Sequence, residues 1–347
     1  MRPLLVVQTA FLGDVVLTTP LLAALRRAHP DRPLHVVATP LGVSVLEGHP
    51  AIDVLHVYDK RGADRGMGGL LRLLARLRRQ RFGIAVAAQR SARTGFLVRG
   101  SGAPVRVGFA SSPGAWALTE RVPWHADRHA VHRYLALAGP AGGDPNADAR
   151  PSLQVLPRAA AVVADALAQD GVPAEAALLA IAPGSTWGTK RWTPEGFAAV
   201  VTAAPERGLH PVLVGSPDER ALCEQVGTLA GGGIPNLAGR TRPPELTALL
   251  ARSRALVTND SGPAHVASAV GTPVVAVFGP TVTSFGYTPF GAANRIVERE
   301  GLSCRPCSSH GPQVCPLGHH RCMREISARQ VLASLDEILQ PRTRAPG

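Results

Sequence analysis

Residues 1–38, MRPLLVVQTAFLGDVVLTTPLLAALRRAHPDRPLHVVA, decide the fold. The run LLVVQ reads as a buried strand, AFLGD turns the chain, Val15 to Ala28 has helical spacing, and LHVVA is a second buried strand. That is a βαβ unit, which joins two parallel strands through a helix. The pattern returns at residue 178 as LLAIA, the loop PGSTWGTKRW, a helix from Pro194 to Ala203 opened by Thr193 and Pro194, and the strand PVLVG. Between the two starts lies AGPAGGDPNADARPS, residues 138–152, with the Gly, Pro and Asp content of a linker. The boundary is therefore expected near residue 155, giving domains 1–155 and 156–347. Further strands are expected at Ile84 to Ala88, Val105 to Gly108, Ala255 to Thr258 and Val274 to Phe278. The fold class is α/β with parallel sheets, and two such domains facing each other would form a cleft at the carboxyl ends of their strands.

Composition agrees with two ordinary domains in 347 residues, since a domain holds about 150. Hydrophobic residues at 45% fill real cores, and charged residues at 18% are too few for a disordered chain. The net charge of +12 points to anionic partners: nucleic acid, an acidic membrane surface or phosphorylated small molecules. Gln8 and Asp14 interrupt the apolar start, so no secretory signal is expected and a cytoplasmic location follows. The longest uncharged stretch, Ser261 to Asn294, carries Pro263, Pro273, Pro280 and Pro289, too many for a membrane span. Leu70 to Arg81, LLRLLARLRRQR, is a basic amphipathic helix. It either packs on a sheet with a solvated basic face or docks on a membrane surface or anionic acceptor.

Candidate chemistry lies in three loops. No GxGxxG follows the first strand and no GxxxxGK[ST] occurs, which argues against dehydrogenases and P-loop NTPases. Asp14, after the first strand, is either a helix N-cap or a general base facing the cleft. In APGSTWGTKRW, Ser185 and Thr186 offer hydroxyls and Lys190 a mobile cation, a grouping suited to phosphate oxygens. Lysine stands out there because 35 of the 37 basic residues are arginine. In TNDSGPAHVASAVGTP, Asp260 and Ser261 precede a helix whose first turn holds Gly262 and His265, an arrangement that fits either a cap or a pyrophosphate. Together the second and third loops suggest a nucleotide-diphosphate ligand.

The segments GDVVLTTP, PGS-x-WG-x-KRW and ND-S-G-x-x-H-x-A-x-A-x-G-T-P resemble glycosyltransferase family 9, the bacterial lipopolysaccharide heptosyltransferases, over nearly the whole chain. The stretch CRPCSSHGPQVCPLGHHRCM looks most like the heptosyltransferase II branch. The resemblance implies a GT-B fold of two facing Rossmann-like domains, the first binding acceptor and the second nucleotide sugar, with a final helix at about 327–339 crossing back to the first. It implies an inverting transfer of heptose from ADP-L-glycero-D-manno-heptose to the lipopolysaccharide inner core, an acceptor of heptosyl-Kdo-lipid A type, at the cytoplasmic face of the inner membrane as a peripheral protein. Asp14 takes the general-base position, with Gly13 and Thr18 beside the acceptor. Ser185, Thr186, Lys190, Asp260, Ser261, Gly262 and His265 surround the donor. The chain departs from the pattern at Ala10 and Phe11, where small polar residues are usual. Catalysis would need no cofactor, because Lys190 and helix N-termini can stabilise the departing ADP.

Two alternatives stay open on residues alone. A GT-B nucleotide-sugar epimerase would share the donor site without needing a basic acceptor surface. A nucleic-acid-binding zinc protein would use the arginines and Cys304, Cys307, Cys315 and Cys322, although 4% aromatics offer few stacking platforms, so no nucleic-acid partner is expected. Those four cysteines read as packed thiols, a structural zinc site or a redox group. His125, His129 and His132, spaced as one helical face, read as a surface or as metal ligands.

Overall fold

The computed structural model describes residues 1–340. The chain divides into two compact units, the first Met1–Gln154 and the second from Val155 onward.

The first unit runs β1 (Leu4–Gln8), α1 (Leu12–Leu17), α2 (Thr19–Ala28), β2 (Leu34–Ala38), α3 (Pro40–Val45), β3 (Val54–Val57), α4 (Gly66–Arg79), β4 (Ile84–Ala87), α5 (Ala92–Gly100), β5 (Val105–Phe109), β6 (Glu120–Val122) and α6 (Ala130–Leu135). Its six strands are all parallel, in the order β3-β2-β1-β4-β5-β6. Every residue of β1 is buried, because helices cover both faces of a parallel sheet. On one face Leu5, Val7 and Phe82 pack with Leu73 and Leu77 of α4 and Leu97 and Val98 of α5. Strand order reverses between β1 and β4, which opens a crevice at their carboxyl ends.

The single helix expected over Val15 to Ala28 is two helices meeting at Thr18. Pro20 has no N–H for the Val16 carbonyl, and the Thr19 hydroxyl takes that carbonyl instead at 2.8 Å. The buried Thr18 hydroxyl donates to the Asp14 carbonyl at 2.7 Å and accepts from Gln8 Nε2 at 2.9 Å. The amphipathic helix expected from Leu70 starts one turn earlier, at Gly66, and ends at Arg79.

The second unit runs α7 (Pro157–Gln169), β7 (Leu178–Ala182), α8 (Pro194–Thr202), β8 (His210–Leu213), α9 (Arg220–Leu229), α10 (Pro243–Arg252), β9 (Ser253–Asn259), α11 (Gly262–Ala269), β10 (Val274–Phe278), β11 (Arg295–Glu298), α12 (Arg321–Arg324) and α13 (Ala328–Leu339). Its five parallel strands lie in the order β11-β10-β9-β7-β8, with the reversal between β7 and β9. The final helix, α13, packs on β9, β10, β11 and α8 of the second unit. Its stripe of Val331 and Leu335, both fully buried, completes the second core with Trp192, Phe197 and Met323. Among the described residues no helix is long and apolar enough to cross a membrane.

Candidate active site

Each unit gathers polar side chains at the point where its strand order reverses. In the first unit Thr9, one residue past β1, donates through Oγ1 to Gln89 Oε1, beyond β4, at 2.6 Å. Lys60 Nζ donates to the Thr9 carbonyl at 2.6 Å. Burial and the charges of Arg93 and Arg61 pull the Lys60 ammonium below its ordinary value, so three cations share this edge. The guanidiniums of Arg90 and Arg133 lie over the Trp124 ring, 4.0 and 4.5 Å from its centre.

Asp14 stands in the first turn of α1, half-buried, and is not the cap: Phe11 holds that position, in extended backbone. The Tyr134 hydroxyl, from α6, donates to Asp14 Oδ1 at 2.7 Å. Tyr134 is 4% exposed and leans on Phe109, so the carboxylate is oriented by a rigid partner. Gly13 is half-buried in the same turn. Thr18, expected beside the acceptor, is instead buried at 2% exposure with its hydroxyl committed to Gln8 and the Asp14 carbonyl, and it shapes the turn that carries Asp14.

In the second unit Asn259, last in β9, ties the loop after β7 to the reversal point. Its Nδ2 donates to the carbonyls of Pro183 (2.8 Å) and Gly184 (3.2 Å), and its Oδ1 accepts from the Trp192 N–H at 2.9 Å. This brings Lys190 onto Asp260: Nζ lies 2.6 Å from Oδ2, and the Thr281 hydroxyl donates to the same oxygen at 2.6 Å. Both charges are buried, with side chains 12% and 8% exposed, so each depends on the other for compensation. Ser185 is buried and accepts from the Trp187 N–H at 3.4 Å, whereas Thr186 is exposed. Ser261 precedes α11 without capping it: its hydroxyl lies 3.2 Å from that of Thr258. Gly262 opens α11 and His265 is buried in its first turn. An ammonium and a helix N-terminus at one reversal point can hold the oxygens of a diphosphate.

The cysteine-bearing segment braces this site. Arg305 donates to the Gly279 carbonyl, to the Thr281 carbonyl at 2.8 Å and to Glu298 Oε2 at 2.6 Å. Gln313 accepts the Gly188 N–H and donates to the Thr186 carbonyl, both at 3.0 Å. The Thr189 N–H reaches the Pro312 carbonyl at 3.3 Å, and His320 Nε2 lies 2.8 Å from the Thr189 carbonyl. Gly188 permits the approach, since a Cβ there would stand 2.4 Å from the Gln313 carbonyl oxygen. Cys304, Cys307 and Cys315 are half-buried and Cys322 is buried in the second core. Burial pushes the Cys322 thiol up to about 11 and raises Cys307. Among the described residues no three His, Cys, Asp or Glu side chains converge to hold a metal ion. That includes the histidine trio: His129 caps α6 through Nδ1, and His125 precedes the helix, so they share no helical face.

Tyr134, Thr281, Arg305 and Gln313 escape sequence reading because their partners are distant in the chain; Tyr134 and Asp14 are 120 residues apart. Lysine rarity singles out Lys190, and the same argument would have found Lys60.

The family model for glycosyltransferase family 9 (heptosyltransferase) matches residues 70–316. The lipopolysaccharide core heptosyltransferase OpsX of Haemophilus influenzae is 26% identical, covering 97% of each chain. Lipopolysaccharide heptosyltransferase 2 of Escherichia coli is 24% identical over 97% of this chain and 98% of its own. A crystal structure of a family 9 glycosyltransferase from Veillonella parvula superposes with TM-score 0.87 at 25% identity, covering 97% of both chains. A 2-epimerase from Listeria monocytogenes shares the fold alone, at TM-score 0.51 and 11% identity.

Proposed function

The chain belongs to glycosyltransferase family 9 and is a glycosyltransferase, and from that premise we propose that it transfers heptose, with inversion, from ADP-L-glycero-D-manno-heptose to the inner core of lipopolysaccharide. The observation that carries the reading is the buried Lys190–Asp260–Thr281 group where β7 and β9 diverge. A donor diphosphate arriving there offers Lys190 a second anion, and the first turn of α11 adds its positive end. As the sugar–phosphate bond breaks, negative charge grows on ADP, and these preorganised groups stabilise it by several kcal/mol, roughly 3 or more. Asp14 takes the proton of the acceptor hydroxyl as that oxygen attacks the anomeric carbon from the face opposite the leaving group.

The acceptor is read as anionic because Lys60, Arg61 and Arg93 collect where strand order reverses in the first unit, and as of heptosyl-Kdo-lipid A type because the family's relatives build the lipopolysaccharide core. A lipid-linked acceptor puts the reaction at the cytoplasmic membrane face. The test is incubation with ADP-heptose, with and without a defined truncated lipopolysaccharide. ADP release that depends on the acceptor, with inverted configuration in the product, is the expected result. Change of the donor sugar without any acceptor would instead establish an epimerase.

A further inference from the structure

Four large apolar side chains of the first unit stand in solvent although the core beneath them is complete: Met67 (68% exposed), Leu71 (57%), Phe96 (51%) and Trp116 (53%). They form one patch. Gly100, at the end of α5, lies against α4, since a Cβ there would fall 2.5 Å from Leu74 Cδ2. Both helices link parallel strands and run in the same direction, so one turn back from that contact sets Phe96 beside Leu71, with Met67 a further turn on. The Phe96 and Trp116 rings meet edge to face, 4.9 Å between centroids. Folding does not need these groups, because Leu73, Leu77, Leu97 and Val98 already fill the sheet face.

The surrounding charge is predominantly positive, with Asp64 facing Arg72 and Glu120 after Thr119 at its margins. From Gly66 to Thr119 the chain has nine arginines and no aspartate or glutamate. Arg106 donates to the Ala117 carbonyl at 2.6 Å, next to Trp116, and feels the charge of Arg99. Arg93, one turn before Phe96, acts on Tyr58 and Lys60, so the patch continues into the cations beside Thr9.

We propose that this face docks on an anionic phospholipid bilayer, with Met67, Leu71, Phe96 and Trp116 among the headgroups and upper acyl chains and the arginines on lipid phosphates. A patch of protruding side chains bordered by cations needs no complementary groove, and a fluid, negatively charged interface satisfies both. The inference rests on the transferase reading only in supplying the surface where a lipid-linked acceptor is met, and its test uses vesicles without glycolipid so that the two fail separately.

The full chain is sedimented with phosphatidylcholine vesicles and with vesicles containing about 30% phosphatidylglycerol. Binding to the anionic vesicles alone is expected, with tryptophan fluorescence quenched by brominated acyl chains and the quenching lost in Trp116→Phe. The double variant Phe96→Ser/Trp116→Ser should partition about tenfold more weakly. Its melting temperature, ADP affinity and transfer to a deacylated, soluble acceptor should remain as in the parent. Absence of binding, or binding equal in parent and variant, overturns the proposal. So does a parent dimer that the variant abolishes, which would make the patch a contact between copies.

Discussion

The Tyr134 hydroxyl bond to Asp14 fixes one carboxylate oxygen from a buried ring. Tyr134→Phe keeps the ring and removes the bond, worth about 1–1.5 kcal/mol, so kcat is expected to fall about tenfold while ADP affinity holds. Steady-state kinetics beside an ADP titration checks this; a change in ADP affinity with kcat intact would assign Tyr134 elsewhere. Lys190→Ala has a different signature, because it removes the cation proposed for the donor site and also strands Asp260 as a buried charge. Unfolding in urea should show a loss of about 3 kcal/mol, and ADP binding should weaken by at least about tenfold. Unchanged stability would mean that Asp260 does not depend on Lys190.

The phosphate-type loop and the cysteine-bearing segment act as one piece, because Gly188, Thr189 and Gln313 are joined through backbone and side-chain bonds. Gly188→Ala would drive a methyl into the Gln313 carbonyl, and the expected result is weaker ADP binding, by about tenfold, with a loss of about 1–3 kcal/mol in stability. Calorimetric titration with ADP measures the first, and unaltered binding would show that the brace does not set the loop. The βαβ units were legible because runs such as LLVVQ and LLAIA have one physical use, a strand buried on both faces. Helix destinations were not: the Val331 and Leu335 stripe announces burial but not the surface that receives it, and only the structure lays it on its own unit. The break at Thr18 has one cause visible in the sequence, Pro20 with its missing N–H, and one that only the fold supplies, the Gln8 side chain ten residues away on the Thr18 hydroxyl. The sequence places Asp14, Lys190 and Asp260 in the segments that follow β1, β7 and β9, where such a fold collects polar groups, and their roles are proposals.

At the scale of the molecule, buried histidines make the fold sensitive to mild acid. His49 is 3% exposed, its Nδ1 accepts from the Ala51 N–H, and burial pulls it down to about 4. His56, held down by burial and by the charges of His35 and Arg76, also falls to about 4. Below about pH 6.5 the unfolded chain takes up protons that the folded chain refuses. Stability is therefore full above that value and lost as pH falls toward 4, by about 2 kcal/mol at pH 5 for His49. Thermal melts should shift down by roughly 5 °C between pH 7 and pH 5, and a flat profile would show that these rings are not neutral in the folded state. The proposed transfer rests on a division of labour, with the second unit holding the donor diphosphate and Asp14 of the first removing the acceptor's proton. The most direct measurement is transfer from ADP-heptose by Asp14→Asn, read beside its ADP affinity. Turnover reduced by about a thousandfold, with ADP bound as tightly as by the parent, is the expected result; near-normal turnover would contradict it.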